Sequence, residues 1–152
     1  MVDLDVELPA DASAPSRARA VLRAWLQRIC VSRVLRDTTE ELIYAVSEAV
    51  SNAADHAYPD HAVGEPDAVV TLRAHATADG PPRELPCQGP HTVHIVVTDH
   101  GRWRPPPDEP TTRGRGFTLI DAFVDDKQLE TGPDGTTLTM HRSLRCSAVD
   151  AC

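Results

Sequence analysis

Two polar side chains stand one helical turn apart in the segment ELIYAVSEAVSNAADHA, where Glu48 and Asn52 follow Tyr44 at the same spacing. Apolar residues flank this line on both sides, so we expect the pair to lie between packed elements rather than on an open face. A carboxylate and an amide oxygen so placed suit a hydrated magnesium ion, which prefers oxygen ligands. An ordinary solvated polar stripe is the alternative interpretation.

A third polar side chain ends an apolar run, in the segment VVTDHG. Asp99 follows the apolar residues, and Gly101, two positions later, permits close approach of the backbone to a ligand. A carboxylate in this position can accept a hydrogen bond from an exocyclic amine while apolar walls hold the ring. The same letters also form a common Asp-x-Gly turn, so this signal is weak alone.

Glycines precede a third predicted helix. Backbone N–H groups at such a start can reach an anion, which the helix dipole favours, and neighbouring arginines suit phosphate. Thr136, after Gly135, begins the last strand and its hydroxyl is a fourth candidate, for an adenine or a nearby water. The residues of the glycine-rich segment are Arg113, Gly114, Arg115, Gly116 and Phe117.

The elements that must position these residues follow from periodicity and turn signals. Asp11 and Ser13 are expected to cap the first helix, and Thr38 with Glu41 resembles a capping box for the second. The order β-α-α-β-β-α-β-β predicts an α/β two-layer sandwich, with a mixed sheet and its helices on one face. The predicted strands cover 2–8, 68–76, 93–98, 127–131 and 136–143, and the predicted helices 15–31, 37–57 and 114–124.

Composition limits the classes of function. The formal net charge of -8 argues against non-specific binding to a nucleic-acid backbone, and no apolar stretch approaches the roughly 18–20 residues of a membrane span. The acidic start of the chain does not resemble a signal peptide. The four cysteines lack C-x-x-C spacing, so no zinc site is expected and the thiols are interpreted as reduced. We therefore expect a cytoplasmic protein with one domain over 1–143 and a disordered tail over 144–152.

The order of these motifs resembles the motif series of the Bergerat-fold GHKL ATPase and kinase superfamily. The motifs are, in order, Glu-x-x-x-Asn, Asp-x-Gly, R-G-R-G-F and G-T-T. Within this superfamily, the chain is most similar to the anti-sigma factor serine/threonine kinases of the RsbW/SpoIIAB type. The closest stretches are ELIYAVSEAVSNAADHAY, VTDHGRWRPP and RGRGFTLIDAFVDD. The resemblance covers roughly residues 5 to 143. Each motif is permissive alone, and the order, spacing and length together carry the similarity.

The resemblance implies roles position by position. Asn52 would coordinate Mg²⁺ bridging the phosphates of ATP, Glu48 would be the general base, and Asp99 would hydrogen-bond the adenine amine beside Gly101. His56, one turn after Asn52, is a further candidate for contact with the lid or the phosphates. The other expected ATP-binding residues are Arg113, Gly114, Arg115, Gly116, Phe117 and Thr136, and residues 102–113 would form a short lid.

By the same resemblance, the protein would phosphorylate a STAS-domain anti-sigma factor antagonist, sequester a sigma factor and form a homodimer, without contacting nucleic acid or membrane directly. One departure is Trp103, which stands where the family has a second glycine after Asp99. It favours the alternative of a non-catalytic or weakly ATP-binding module that sequesters a partner; a small ATPase is a third possibility. The histidines at 61, 75, 91, 94 and 141 show no ligand spacing and are expected to lie on the surface.

Overall fold

The structure is a computed structural model of the 152-residue chain and describes residues 3–29, 36–57, 68–78, 91–101 and 115–144. All eight predicted elements occur in the predicted order. No helix in these ranges combines the length and apolar character that a bilayer crossing requires. The elements are β1 (Leu4–Pro9), α1 (Ala14–Ile29), α2 (Arg36–Ala57), β2 (Val69–Ala78), β3 (His91–Asp99), α3 (Arg115–Phe123), β4 (Asp126–Gly132) and β5 (Gly135–Leu144).

The five strands form one sheet in the order β1-β2-β3-β5-β4. The two-layer α/β sandwich is confirmed, but the predicted mixed sheet is wrong, because all four strand pairs are antiparallel. The reason lies in where the last hairpin inserts. β4 runs in the same direction as β3, as expected after a helical crossover, yet β5 turns back between them and keeps the two parallel strands apart.

One face of the sheet carries the core and the other carries polar side chains. Along β3 burial alternates strictly, with every second residue buried. The three helices bury their apolar sides in a cluster with that face. Leu22, Leu42, Leu72, Ile95, Ile120 and Met140 are among the fully buried side chains of this cluster. Aliphatic burial on one side of the sheet is thus the main stabilising contribution.

The cap predicted at the start of α1 occurs in the structure, whereas the one predicted at the start of α2 does not. Before α1, the Ser13 N–H and hydroxyl both donate to the Asp11 carboxylate, at 2.8 and 2.5 Å, and lower the pKa of Asp11 below its ordinary value. The predicted cap of α1 is confirmed. The capping box predicted for α2 is wrong, because that helix begins at Arg36 and Glu41 instead pairs with Arg142 of β5, at 3.1 Å.

Gly135 holds the start of β5 against the end of β3. Its φ is 141°, a backbone conformation that only glycine adopts without strain. A Cβ at this position would overlap the backbone carbonyl of Asp99 and lie 2.9 Å from the Cα of His100. The absence of a side chain therefore permits the contact that pairs Asp99 with Thr136.

Replacing Gly135 by alanine is expected to lower the free energy of unfolding by about 2 kcal/mol or more, because it adds both torsional strain and a backbone clash. Urea denaturation measures this. Gly132→Ala is the matched control, since it lies in the same hairpin with nothing within 4 Å of an added Cβ. The control should change stability by less than about 1 kcal/mol. Equal effects of the two substitutions would contradict a special role for Gly135.

Candidate functional site

The polar line predicted on α2 exists and lies between two buried flanks. Glu48 and Asn52 are half-buried, whereas Tyr44, one turn earlier, is 45% exposed. The line therefore runs from an open position into a more enclosed one. The buried residues beside it are Leu42, Ile43, Ala45, Val46, Ala49 and Val50.

Five neighbouring elements of the described structure pack against α2. They are α1, α3, β2, β3 and β5. Arg19 of α1 donates to the hydroxyl of Ser47 at 2.7 Å, and Tyr44 contacts Phe123 of α3 edge to face, with ring centroids 6.0 Å apart. These contacts fix the rotation of the helix, and with it the direction in which Glu48 and Asn52 project.

The side-chain amide of Asn52 is the clearest unpaired polar group. Its Nδ2 atom is buried and has no hydrogen-bond partner within the described residues. Because leaving a buried polar atom unpaired costs about 1–3 kcal/mol, such an atom in a folded protein needs an explanation, and a bound ligand or an ordered water is one. An amide presents a donor at one end and an acceptor at the other, so the group suits a polar ligand such as a hydrated metal–phosphate unit.

Asp99 is the buried carboxyl at the end of β3, with only 6% of its surface exposed. Burial raises the pKa of Asp99 above its ordinary value; the backbone N–H groups of Gly101 and Thr136, which donate to the carboxylate, and the nearby His100 lower it in part. The bond from Gly101 measures 3.1 Å. The carboxyl is thus held rigidly, and it is an acceptor for a ligand that brings its own donor.

The backbone of Thr136 adds a contact that the sequence did not indicate. Its N–H donates to the Asp99 carboxylate, while the role expected of its hydroxyl stays a prediction. The two residues are direct partners across β3 and β5. The only local signal was the glycine before Thr136, which indicated a turn but not which strand it approaches.

The glycine-rich segment leads into α3. The backbones of Arg115, Gly116 and Phe117 form the first turn of this helix, which packs against α2 through its later residues. The side chains of these residues and of His56 lie outside the described part of the structure. So do Arg113, Gly114, Trp103 and the whole predicted lid over 102–113.

The predicted Mg²⁺ ligand fits an ion that takes most of its ligands from the nucleotide. Within the described ranges, no group of three histidine, cysteine, aspartate or glutamate side chains is arranged around a metal position. Mg²⁺ in phosphate sites needs few protein ligands, since it keeps waters and binds phosphate oxygens. A single Asn52 oxygen is compatible with that chemistry.

A polar depression at the opposite end of α2 is not part of this constellation. Thr38, Asp125, Arg142 and Ser143 line it. It lies about 20 Å along the helix axis from Asn52, at 1.5 Å per residue. Arg142 is there paired with two carboxylates, from Glu41 at 3.1 Å and Asp125 at 3.5 Å. Among the described residues of that depression, the positive charge of Arg142 is therefore balanced by carboxylates, although its Nε atom has no hydrogen-bond partner.

Comparisons with known proteins show which family the chain belongs to and which fold it shares. A family model described as the histidine kinase-like ATPase domain matches residues 8–142. The anti-sigma F factors of Bacillus licheniformis and Bacillus subtilis are 26% and 25% identical to the chain, each over 93% of this chain and 92% of the relative. A crystal structure of the RsbU and RsbW domains of a Mycobacterium tuberculosis protein superposes with a TM-score of 0.65 and 25% identity. The match covers 96% of this chain and 34% of that longer one.

Because the pKa of Asp99 is raised, replacing this carboxyl by a neutral side chain is expected to increase the free energy of unfolding by an amount that depends on pH. A carboxyl that holds its proton more tightly in the folded chain costs stability as the pH rises through its folded pKa. Asp99→Asn, which cannot ionise, should therefore gain stability relative to the original protein as the pH rises above the ordinary carboxyl pKa of 3.8, and the gain should level off above the folded pKa of Asp99. Urea unfolding across this pH range tests the trend, with the exposed turn residue Asp134→Asn as control. A gain that shrinks with rising pH would contradict the burial argument.

Proposed function

The chain belongs to the histidine kinase-like ATPase domain family, and on this basis we propose that it is an ATP- and Mg²⁺-dependent anti-sigma factor with serine/threonine kinase activity. The observation that carries the proposal is the half-buried Asn52, whose buried Nδ2 atom is unpaired, one turn beyond the half-buried Glu48. The similarity to anti-sigma F factors over nearly the whole chain supports the regulatory class.

Each described residue has a chemical task in this proposal. Asp99 accepts a hydrogen bond from the exocyclic amine of adenine, and Gly101 leaves room for the ring. Asn52 would provide an oxygen ligand to Mg²⁺, and the bound ion would neutralise phosphate charge. Glu48 accepts the proton of the attacking hydroxyl as the γ-phosphoryl group passes to serine or threonine. The first turn of α3 offers backbone N–H groups to the phosphates.

The proposed partners follow from the family resemblance. The protein substrate is a serine or threonine of a STAS-domain anti-sigma factor antagonist, and the second partner is a sigma factor held inactive by a homodimer of this chain. The acidic net charge of -8 is compatible with protein partners rather than nucleic acid.

A second candidate function is sequestration of a partner without phosphoryl transfer. Trp103, in place of the second glycine expected after Asp99, favours it, because a bulky side chain restricts the backbone at a lid hinge. The two candidates differ in Glu48: only transfer requires a base there.

ATP binding should depend on Asn52. We expect calorimetry with Mg²⁺ and ATP to give micromolar binding by the original protein and at least about tenfold weaker binding by Asn52→Ala, since a charge-assisted contact is lost. Gln128→Ala, on the exposed edge strand β4, is the control and should bind as the original does. Binding unchanged in Asn52→Ala would exclude the proposed metal–phosphate role.

Glu48→Gln should separate binding from transfer. We expect this variant to bind ATP within about threefold of the original protein but to phosphorylate a STAS-domain antagonist at least about 100-fold more slowly, the usual range for losing a general base. Transfer of labelled phosphate from ATP measures the rate. Glu40→Gln, the same change at an exposed site on α2, is the matched control. Unimpaired transfer by Glu48→Gln would eliminate the base role, and complex formation with no transfer by the original protein would favour sequestration.

A further inference from the structure

Three histidines lie in one row across the sheet, although nothing in their sequence spacing indicates it. His75 of β2 pairs directly with His94 of β3, and His94 pairs with His141 of β5. The His75 and His94 rings stack with centroids 4.5 Å apart and an interplanar angle of 6°. The His94 and His141 rings meet at 71° with centroids 4.6 Å apart. We call these residues the histidine row.

The histidine row lies on the sheet face opposite the helices. His75 is exposed, and His94 and His141 are half-buried, whereas their strand neighbours Val93 and Ile95 point into the core. Asp126 of β4 continues the row at its far end, as the register partner of His141. Its carboxylate lies 3.9 Å from Nδ1 of His141, and both side chains are accessible, at 76% and 38% exposure. The row thus combines three imidazoles with one carboxylate.

The spacing of the strands allows the three imidazoles to reach one ion. Neighbouring strands are about 4.8 Å apart, so the outer two histidines of a three-strand row stand about 10 Å apart. Each imidazole reaches several ångströms beyond its Cβ, and metal–nitrogen bonds measure about 2.0–2.1 Å. Two outer rings leaning inward and a central ring below can therefore share an ion above His94 without movement of the backbone.

The rings must rotate to do so. As they stand, they stack, and no three donor groups in the described residues surround a common point. The Nε2 atom of His94 lies 3.3 Å from the hydroxyl of Thr77, which is exposed and can bond to water instead. At the exposed His75 this rotation is unhindered, and at the half-buried His94 and His141 metal–nitrogen bonds would replace the contacts that the rotation removes.

We propose that the histidine row binds a divalent transition-metal ion of the Zn²⁺, Ni²⁺ or Cu²⁺ class, with His75, His94 and His141 as ligands. Imidazole nitrogen suits these metals. The Asp126 carboxylate, 3.9 Å from Nδ1 of His141, is near enough to orient this ring through a hydrogen bond once the ring rotates, an arrangement that increases metal affinity. This site is separate from the proposed ATP site, because Asp99 and the polar line of α2 belong to the helix side of the sheet.

Metal titration of the full-length, tag-free protein tests the proposal. Ni²⁺ is the first probe, since the four cysteines of the chain make Zn²⁺ a less selective one. Calorimetry should give one Ni²⁺ per chain, and His94→Ala should weaken binding at least about tenfold, as should His75→Ala at the exposed end of the row. His100→Ala removes an exposed histidine outside the row and should leave Ni²⁺ binding unchanged.

Electron paramagnetic resonance with Cu²⁺ gives an independent result, because hyperfine splitting counts coordinated nitrogens. We expect several nitrogens in the original protein and fewer in His75→Ala, with circular dichroism confirming that each variant is folded. Equal Ni²⁺ binding by the original protein, His94→Ala and His75→Ala would overturn the proposal. So would a loss in His100→Ala as large as that in His94→Ala. Neither result would affect the ATP proposal, whose test is calorimetry with the nucleotide.

Discussion

The contact between Gly135 and the backbone of Asp99 is the constraint on which the described half of the proposed nucleotide site depends. β5 must begin so close to the end of β3 that no side chain fits between them. That closeness places the Thr136 N–H on the Asp99 carboxylate and completes the support for a buried acid. A carboxyl with so little exposure needs donors on it, because burying an unsupported charge is far more costly than burying a hydrogen-bonded one. The tight turn at Gly135 therefore both positions β5 in the sheet and supports the Asp99 carboxyl of the proposed site.

The packing of all three helices on one face of the sheet also explains how α2 can expose a polar line. The 22-residue helix is buried by α1 on one flank and by α3 and the sheet on others, so its apolar residues occupy two stripes rather than one. The gap between those stripes is where Glu48 and Asn52 emerge. Their half-buried state follows from this arrangement: water is partly excluded, which strengthens electrostatic contacts with a ligand, yet the line stays open to it.

Local chemistry predicted the elements well, because caps, turns and hydrophobic periodicity act over a few residues. Asp11 and Ser13 before α1 are one example. Contacts between residues distant in sequence could not be predicted in the same way. Three such features depend on which elements become neighbours. They are the insertion of β5 between β3 and β4, the pairing of Glu41 with Arg142, and the contact of the Thr136 N–H with Asp99. For the site, the sequence could therefore name residue types in order, but not the backbone atoms that support them.

The histidine row is another contact between distant residues that the sequence did not predict. It lies on the sheet face opposite the proposed nucleotide site. His94 and Asp99 belong to one strand and stand an odd number of residues apart, so alternation sends their side chains to opposite faces. Neither side chain can reach the ligand of the other, yet both are fixed by the same β3–β5 ladder. Any change that alters the pairing of β3 with β5 therefore acts on both faces together, whereas a side-chain substitution on one face leaves the other unchanged. This separation makes the nucleotide and metal proposals independent chemically while they remain linked through one pair of strands.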